Sequence, residues 1–552
     1  MDERLTGPVL GCDIGNAFAY ASVAESADSD PSDLMPGDYV GRGMPTRAFV
    51  PAEPDKPIQV CDLKLGAPGR LMKKNPNQVV EAVKRSFSQS SISLKAPGGT
   101  GELLRSVRPE DVYAAIVRDL VIMANSQRRE RKLPPVYDLV FTYPVAFLGD
   151  TRVRERIEDS IESVTLDGHK LRVVGSLPEP AAAALDYLYY VRRIQPGPAD
   201  QKTGELTVLV VDLGHGSLDL AVVTATDKAG ERPYVVHPFR SSDAPLGGID
   251  FDDALEAHIR ELIRAGGWKK KLTETQIGSI REEARQTKHR LSEAESAQPD
   301  LEFIAEAGKT LPPITRADFE ARTADLLGQI LEQVEDVLAQ ARSAGVKIDR
   351  IILTGGGSHM PMLRRGVEEL VRGECPVEPY RPERAVSYGA ARYAWGLIQA
   401  KKEEPTGEEE QTRSGEKPGK GPSGPTGQSL IRQKANYMYG LRYVDPVRKE
   451  YRVRFLIPYG TPLPAKETVS WRSELVDLDL DLRRSRTGER TGMEAPLEDT
   501  VDLVNRTFHS APTGDCTVTM ELDEDHHVSV VCRFPDGKVL RHGTGKHREK
   551  GL

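Results

Sequence analysis

"VLVVDLGHGSLDLAVV", residues 208–223, reads as two apolar strands folded back on one another through Gly214-His215-Gly216, with Asp212 near the end of the first. A carboxylate in so apolar a strand needs a reason, because burying a charge is costly. A second copy of the pattern suggests one. "VLGCDIGNAFAYASV", residues 9–23, lies 199 residues upstream, and there Val9, Leu10, Asp13, Gly15 and Val23 meet Val208, Leu209, Asp212, Gly214 and Val222. A repeated strand–turn–strand unit implies two related halves facing one another across a cleft.

The turns indicate the chemistry. Glycine lets backbone N–H groups come close to a phosphate, with no Cβ in the way. An aspartate would repel phosphate, but it can hold Mg²⁺ through water, since magnesium keeps most of its hydration shell. Asp13 and Asp212 are therefore the expected metal-organising pair, one on each side of a polyphosphate. A plain tight hairpin would explain either copy alone. A third motif favours a nucleotide: in "IILTGGGSHMPML", residues 351–363, an apolar strand enters Gly355-Gly356-Gly357, and Ser358 and Pro361 stand where a helix is expected to begin.

The 552 residues predict more than one core, and 29% charged with 38% hydrophobic residues reads as globular. The net charge of −8 argues against nucleic acid or an anionic membrane as the main partner. Five scattered cysteines suggest a reduced compartment, without a disulfide framework or a zinc site. No signal-peptide pattern and no membrane-length apolar run is evident, so a cytoplasmic protein is expected. The basic run "RRERK" (128–132) reads as a solvated helix face.

Strand and helix patterns alternate to residue 396. They include "DLVFTYPV", "DTRVRERIEDSI", "LRVVGSL" and "PAAAALDYLYYVRR", which predict an α/β architecture. Residues 397–428 read as a polar, flexible linker rich in Gly, Pro, Glu and Lys. Residues 429–552 alternate at period two in "EYRVRFLI" and "LVDLDLDLR", and "HHVSVVCRFPDGKVL" reads as a hairpin turning at Pro535-Asp536-Gly537, so a small β-sandwich is expected. The aspartates of "LVDLDLDLR" lie on one strand face and lack the turn that wraps calcium.

Taken in order, "DIGN", "YPVAFLGDTR", "PEPAAAALDY", "DLGHGSLDL", "LGGIDFD", "TGGGSHMP" and "PERAVSYGAA" resemble the landmarks of the heat shock protein 70 chaperones, within the actin-like ATPase superfamily. "IPYGTPLPAKETV" and "TVTMELDEDHHVSVV" look more weakly like strands of that family's peptide-binding sandwich. The resemblance implies two duplicated lobes around a nucleotide cleft, followed by an all-β sandwich, with no counterpart to the family's helical lid before Leu552. It implies ATP/ADP and Mg²⁺ as cofactors, with Asp13 and Asp212 organising the hydrated ion and Glu179 near the metal and the attacking water. Gly15, Asn16, Ala17, Gly214, His215, Gly216 and Ser217 fall on the two phosphate turns, with Gly247 and Gly248 in the loop beyond. Gly355, Gly356 and Gly357 would flank the nucleoside, with Lys288, Ser292 and Glu383 beside it.

Three departures stand out. Asn16-Ala17 replaces a hydroxyl pair, His215 replaces a glycine that a positive φ would suit, and the catalytic lysine finds only Arg70 (or, less well, Lys73) in "GRLMKKNP". The expectation is a slowly hydrolysing, ATP-binding, chaperone-like protein. Its β-domain would take unfolded or extended polypeptide, with a co-chaperone or exchange factor as a further partner. A nucleotide-gated scaffold without catalysis, and a small-molecule kinase on the same fold, remain open alternatives.

Overall fold

The computed structural model describes residues 7–26, 29–35, 43–60, 75–96, 102–149, 151–191, 205–226, 234–239, 246–402, 431–432, 435, 438–444, 451–458, 460–473, 478–485, 494–496, 500–508, 514–523 and 527–544. The chain divides into two compact units. The first comprises Met1–Pro144, Ile157–Ala221 and Arg240–Lys402, and the second Val145–Arg156, Val222–Phe239 and Glu403–Leu552. Arg70 and residues 403–430, most of the expected linker, lie outside the described residues.

The sequence repeat is a structural repeat. In the first half, β1 (Leu10–Ile14) turns into β2 (Phe18–Val23), and β3 (Asp138–Tyr143) and β4 (Arg172–Pro178) add in parallel, giving the order β4-β3-β1-β2. The second half repeats it with β5 (Glu205–Leu213), β6 (Leu218–Thr226), β7 (Arg350–Thr354) and β8 (Val377–Pro379), in the order β8-β7-β5-β6. The central strands are buried on both faces, so apart from Asp13 and Asp212 near their ends they are mainly apolar and do not alternate. Val208, Leu209, Val210 and Val211 are fully buried.

The helices that matter to the cleft are α1 (Glu179–Tyr189), α2 (Gly248–Ala265), α3 (Glu274–Glu293), α4 (Pro361–Val371) and α5 (Ala385–Lys402). Pro180 sits in the first turn of α1 and Pro361 in that of α4, where a missing N–H costs nothing. Ser358 does not cap α4. Met360 is the N-cap, and the Ser358 hydroxyl donates to the Gly355 carbonyl at 2.7 Å. Helix α5 runs to Lys402, past the linker boundary read at 396, because Ala394 and Ile398 continue its buried face. Arg128 is also not on a solvated face. It is 2% exposed and donates through Nε to the Pro134 carbonyl at 2.8 Å.

Helix α5 packs unusually close to α1. A methyl group at Gly389 would overlap the backbone of Ala182. The pair is tied by buried Asp186 of α1, which accepts from Arg392 Nε of α5 and from the Tyr380 hydroxyl, both at 2.8 Å.

The second unit carries two antiparallel sheets. One has five strands in the order Glu494–Pro496, Tyr451–Ile457, Tyr439–Val444, Leu478–Ser485, Thr500–Phe508, and the other four in the order Ala465–Ser473, Gly514–Leu522, Val528–Arg533, Val539–Gly543. Leu441 and Ile457 from the first sheet and Val518, Met520 and Val530 from the second share one core. The Pro-Asp-Gly turn forms as read, with Gly537 at φ +88° and Asp536 accepting from Lys538 N at 2.9 Å. No helix among the described residues is long and apolar enough to cross a membrane.

Gly389→Ala is expected to destabilise the protein by about 3 kcal/mol, since the overlap is with backbone that cannot rotate away. Thermal unfolding checks this, and a change under about 0.5 kcal/mol would mean that α5 and α1 are further apart than described.

Candidate functional site

Both hairpin turns are built alike. Gly15 N donates to Phe18 O, and Gly214 N donates to Ser217 O, each at 2.9 Å. These turns put Asp13 and Asp212 at the ends of β1 and β5, and both aspartates line one cavity of about 790 Å³. Of the residues expected from the sequence, Glu179, Gly15, Asn16, Ala17, Gly214, His215, Gly216, Ser217, Gly248, Lys288, Ser292, Gly355, Gly356, Gly357 and Glu383 line the same cavity. Gly247 is not on its wall. It stands behind the second turn, directly against the backbone of Gly216 and Ser217.

Two charged groups, one on the cavity wall and one behind it, escaped the sequence reading. Lys84 is 7% exposed, and its ammonium pairs with the Glu179 carboxylate. Asp219 on β6 is 3% exposed and accepts from the Ser217 hydroxyl at 2.6 Å. Signals for both exist in the sequence. "VVEAVKRSF" and "SLDLAVV" are apolar enough to be buried, and a charge inside a buried segment requires a partner. Glu179 is not a capping carboxylate, because the first turn of α1 has no side-chain cap.

Glu179, Asp13 and Asp219 thus act on the Lys84 ammonium, and Asp212 stands close enough to feel all three carboxylates. Burial, reinforced by Glu179, raises Asp13 to about 7 despite the opposing pull of Lys84. Burial, then Glu179, Asp219 and Asp13, push Asp212 well above the usual carboxylate range. Burial works against the Lys84 ammonium, but Glu179 and Asp13 outweigh it and raise its pKa. Such a cluster is short of positive charge, which is the environment a divalent cation relieves. Among the described residues no three carboxylate, imidazole or thiol groups converge to ligate a metal directly. The two carboxylates at the strand ends that would meet such a cation are Asp13 and Asp212.

Lys84 is held by strained backbone. Ala82, two residues before it, lies at φ +49°, ψ +47°, a left-handed conformation that a residue with a Cβ adopts at a cost. Asn16 joins the two turns to this segment: its Oδ1 accepts from Lys84 N at 3.1 Å, and its amide abuts Gly216. Gly355, at φ +75°, brings the third turn onto the Asp212 carboxylate and the Leu213 carbonyl, and a Cβ there would collide with both.

His215 departs from expectation. Among the described residues the non-glycine positions with positive φ are Ala82, Lys132, Asp167, Arg372 and Arg381, so His215 does not adopt it. The turn closes without it, held by Gly248 N donating to Gly214 O at 2.9 Å and Ile249 N donating to His215 O at 2.7 Å. Lys288 is not a surface lysine. Its Nζ pairs with Asp252 at 2.7 Å and donates to Gly248 O at 2.8 Å. Ser292 donates to Lys288 O at 3.1 Å, and Glu383 pairs with His359 at 2.7 Å.

The family model described as Hsp70 protein matches residues 71–404. Chaperone protein DnaK of Deinococcus deserti is 32% identical over 330 residues, which is 58% of this chain and 48% of that protein. The protein of the same name from Deinococcus radiodurans is 30% identical over the same length and shares. Heat shock 70 kDa protein BIP3 of Oryza sativa subsp. japonica is 29% identical over 289 residues, covering 52% of this chain and 40% of the rice protein. The chain spans about half the length of the curated relatives it matches.

Two stability measurements test the site. With its carboxyl raised to about 7, native Asp13 holds a proton where the unfolded chain has lost one. The wild type should therefore lose stability as pH rises from about 4 to about 7. Asp13→Asn removes that dependence, so its stability advantage over wild type, without ligand, should be about 2 kcal/mol larger at pH 8 than at pH 5. Denaturant titration at the two values checks it, and an equal gap at both would refute the raised carboxyl. Ala82→Gly should stabilise the protein by about 1 kcal/mol, and no gain would show that this turn carries no strain.

Proposed function

The chain belongs to the Hsp70 family, and on that premise we propose that its first unit binds ATP or ADP with Mg²⁺ between the two hairpins and hydrolyses ATP there. The observation that carries this reading is the convergence of Asp13, Asp212, Glu179 and Lys84 on one glycine-lined cavity. When bound, Mg²⁺ supplies positive charge to the polyphosphate and to the two aspartates that hold it through water. The backbone N–H groups of the turns suit phosphate oxygens, while the one hydroxyl proton of Ser217 is already given to Asp219. Glu179, paired with the Lys84 ammonium, is the carboxylate placed to accept a proton from an attacking water.

Lys84 takes the cationic role that the sequence reading gave to Arg70. One of the two reasons for slow turnover therefore falls away. The other stays, since Asn16 and Ala17 offer no hydroxyl to the terminal phosphate. A nucleotide-gated scaffold without hydrolysis is the second reading, favoured by the Asn16 amide that abuts Gly216 between the turns. We read the second unit as a β-sandwich that takes extended polypeptide. Supporting this are its two antiparallel sheets with a shared core, and the strand Ala465–Ser473 at a sheet edge, where backbone groups can pair with an added strand. A chaperone-like role in the cytoplasm, with a co-chaperone or exchange factor, follows from the same reading.

The test is titration of ATP and ADP, with and without Mg²⁺, into wild type and Asp212→Asn, with hydrolysis measured in parallel for Lys84→Ala. Asp212→Asn is expected to abolish the gain in affinity that Mg²⁺ brings. Lys84→Ala should slow hydrolysis about 10²- to 10³-fold, as loss of an oriented charge in a catalytic site does. An Asp212→Asn protein that binds Mg-ATP like wild type would place the site elsewhere.

A further inference from the structure

The imidazole of His215 hangs from the second phosphate turn among charges from several elements. Its Nδ1 lies 3.7 Å from Oδ2 of Asp252 on α2. Asp252 is 3% exposed and faces Lys288 at 2.7 Å and Arg285 at 4.0 Å, both on α3. From the segment that carries Lys84, Arg85 donates through Nε to Gly216 O at 2.8 Å and pairs with Asp250 of α2 at 2.7 Å. Arg47 completes the ring of cations, held by Glu81 at 2.8 Å and Glu282 at 2.7 Å. The side chain of His215 is 11% exposed and lines the cavity, and its Nε2 makes no hydrogen bond among the described residues.

Without ligand the ring is neutral. Burial first, then Arg285, Lys288, Arg85 and Arg47, hold its pKa down at about 2. Asp252 beside Nδ1 favours the proton on that nitrogen, which leaves a lone pair on Nε2. A polyphosphate changes this balance twice over. Its negative charge offsets the four cations, and its oxygens are acceptors that a bare lone pair repels. A ring with an acceptor on each side satisfies both only as the imidazolium, in which both nitrogens donate.

Resting on the nucleotide reading above, we propose that His215 is a proton-coupled phosphate ligand. It takes up a proton from the solvent as the polyphosphate enters, then donates from Nδ1 to Asp252 and from Nε2 to a phosphate oxygen. A glycine in this turn would give the ligand backbone alone, whereas His215 makes affinity depend on the charge of the ligand and on pH. The group is deprotonated in the free state and protonated in the bound state, so binding strengthens as pH falls through and below the bound-state pKa, where one proton is taken up per ligand.

Calorimetric titration of Mg-ATP in two buffers of matched pH but different ionisation enthalpy reads the proton directly. Wild type is compared with His215→Gly and His215→Asn, which subtracts the protonation of the phosphate itself. Wild type should take up about one proton more than either variant, and its affinity ratio over them should rise by up to about tenfold per unit as pH falls from about 8 to 6. Equal proton uptake, or a flat ratio, overturns the proposal. If wild type fails to bind ATP at all, it is the nucleotide reading that fails. Ring ¹⁵N spectra of histidine-labelled wild type serve should the variants not fold. One imidazole turning from neutral to charged on addition of Mg-ATP supports the proposal, and no such change overturns it.

Discussion

The cleft rests on an imbalance of charge. Asp13, Glu179, Asp212 and Asp219 are gathered at the ends of buried strands and at the head of α1, with the Lys84 ammonium among them. In water such a group would disperse, and in the interior each carboxylate raises the others' cost of ionising. The architecture holds them together anyway, because each is fixed by an element with its own reason to be there. The aspartates end strands that form the centre of their sheets, and Glu179 opens a helix locked against α5. Stability is given up locally for a site prepared to receive positive charge.

The same logic extends to the rim. The cavity is acidic where the hairpins meet and basic around the second turn, where Arg285, Lys288, Arg85 and Arg47 face His215. A metal–polyphosphate complex carries both signs of charge, so a pocket divided in this way matches it better than one of uniform sign.

Much of this was legible in the sequence, for identifiable reasons. The hairpin repeat showed because the turn requires the same residue types at the same places in both copies, and the structure repeats even the Gly15–Phe18 bond as Gly214–Ser217. Asp13 and Asp212 stood out because a carboxylate in an apolar strand is conspicuous, whereas Glu179 came only through the family resemblance. Lys84 was not found, since no regular periodicity marks a short 3₁₀ turn entered through a left-handed alanine. Asp219 was hidden by strand alternation, where one polar residue among apolar ones looks like an outward face. The roles of Lys288 and Arg128 depend on a partner distant in sequence, Asp252, and on a carbonyl beyond the helix end, that of Pro134, and periodicity carries neither.

Helix α5 has a mechanical consequence. It lies on α1 at Gly389 and against β1 near Ala391, so its base rests on the elements that carry Glu179 and Asp13. From there it continues without interruption to Lys402. Leu397 meets Gly175 of β4 and Ile398 is buried, so the helix is seated along most of its length rather than at one end. A displacement of β1, β4 or α1 is therefore shared by one rigid rod that ends where the chain leaves its first unit.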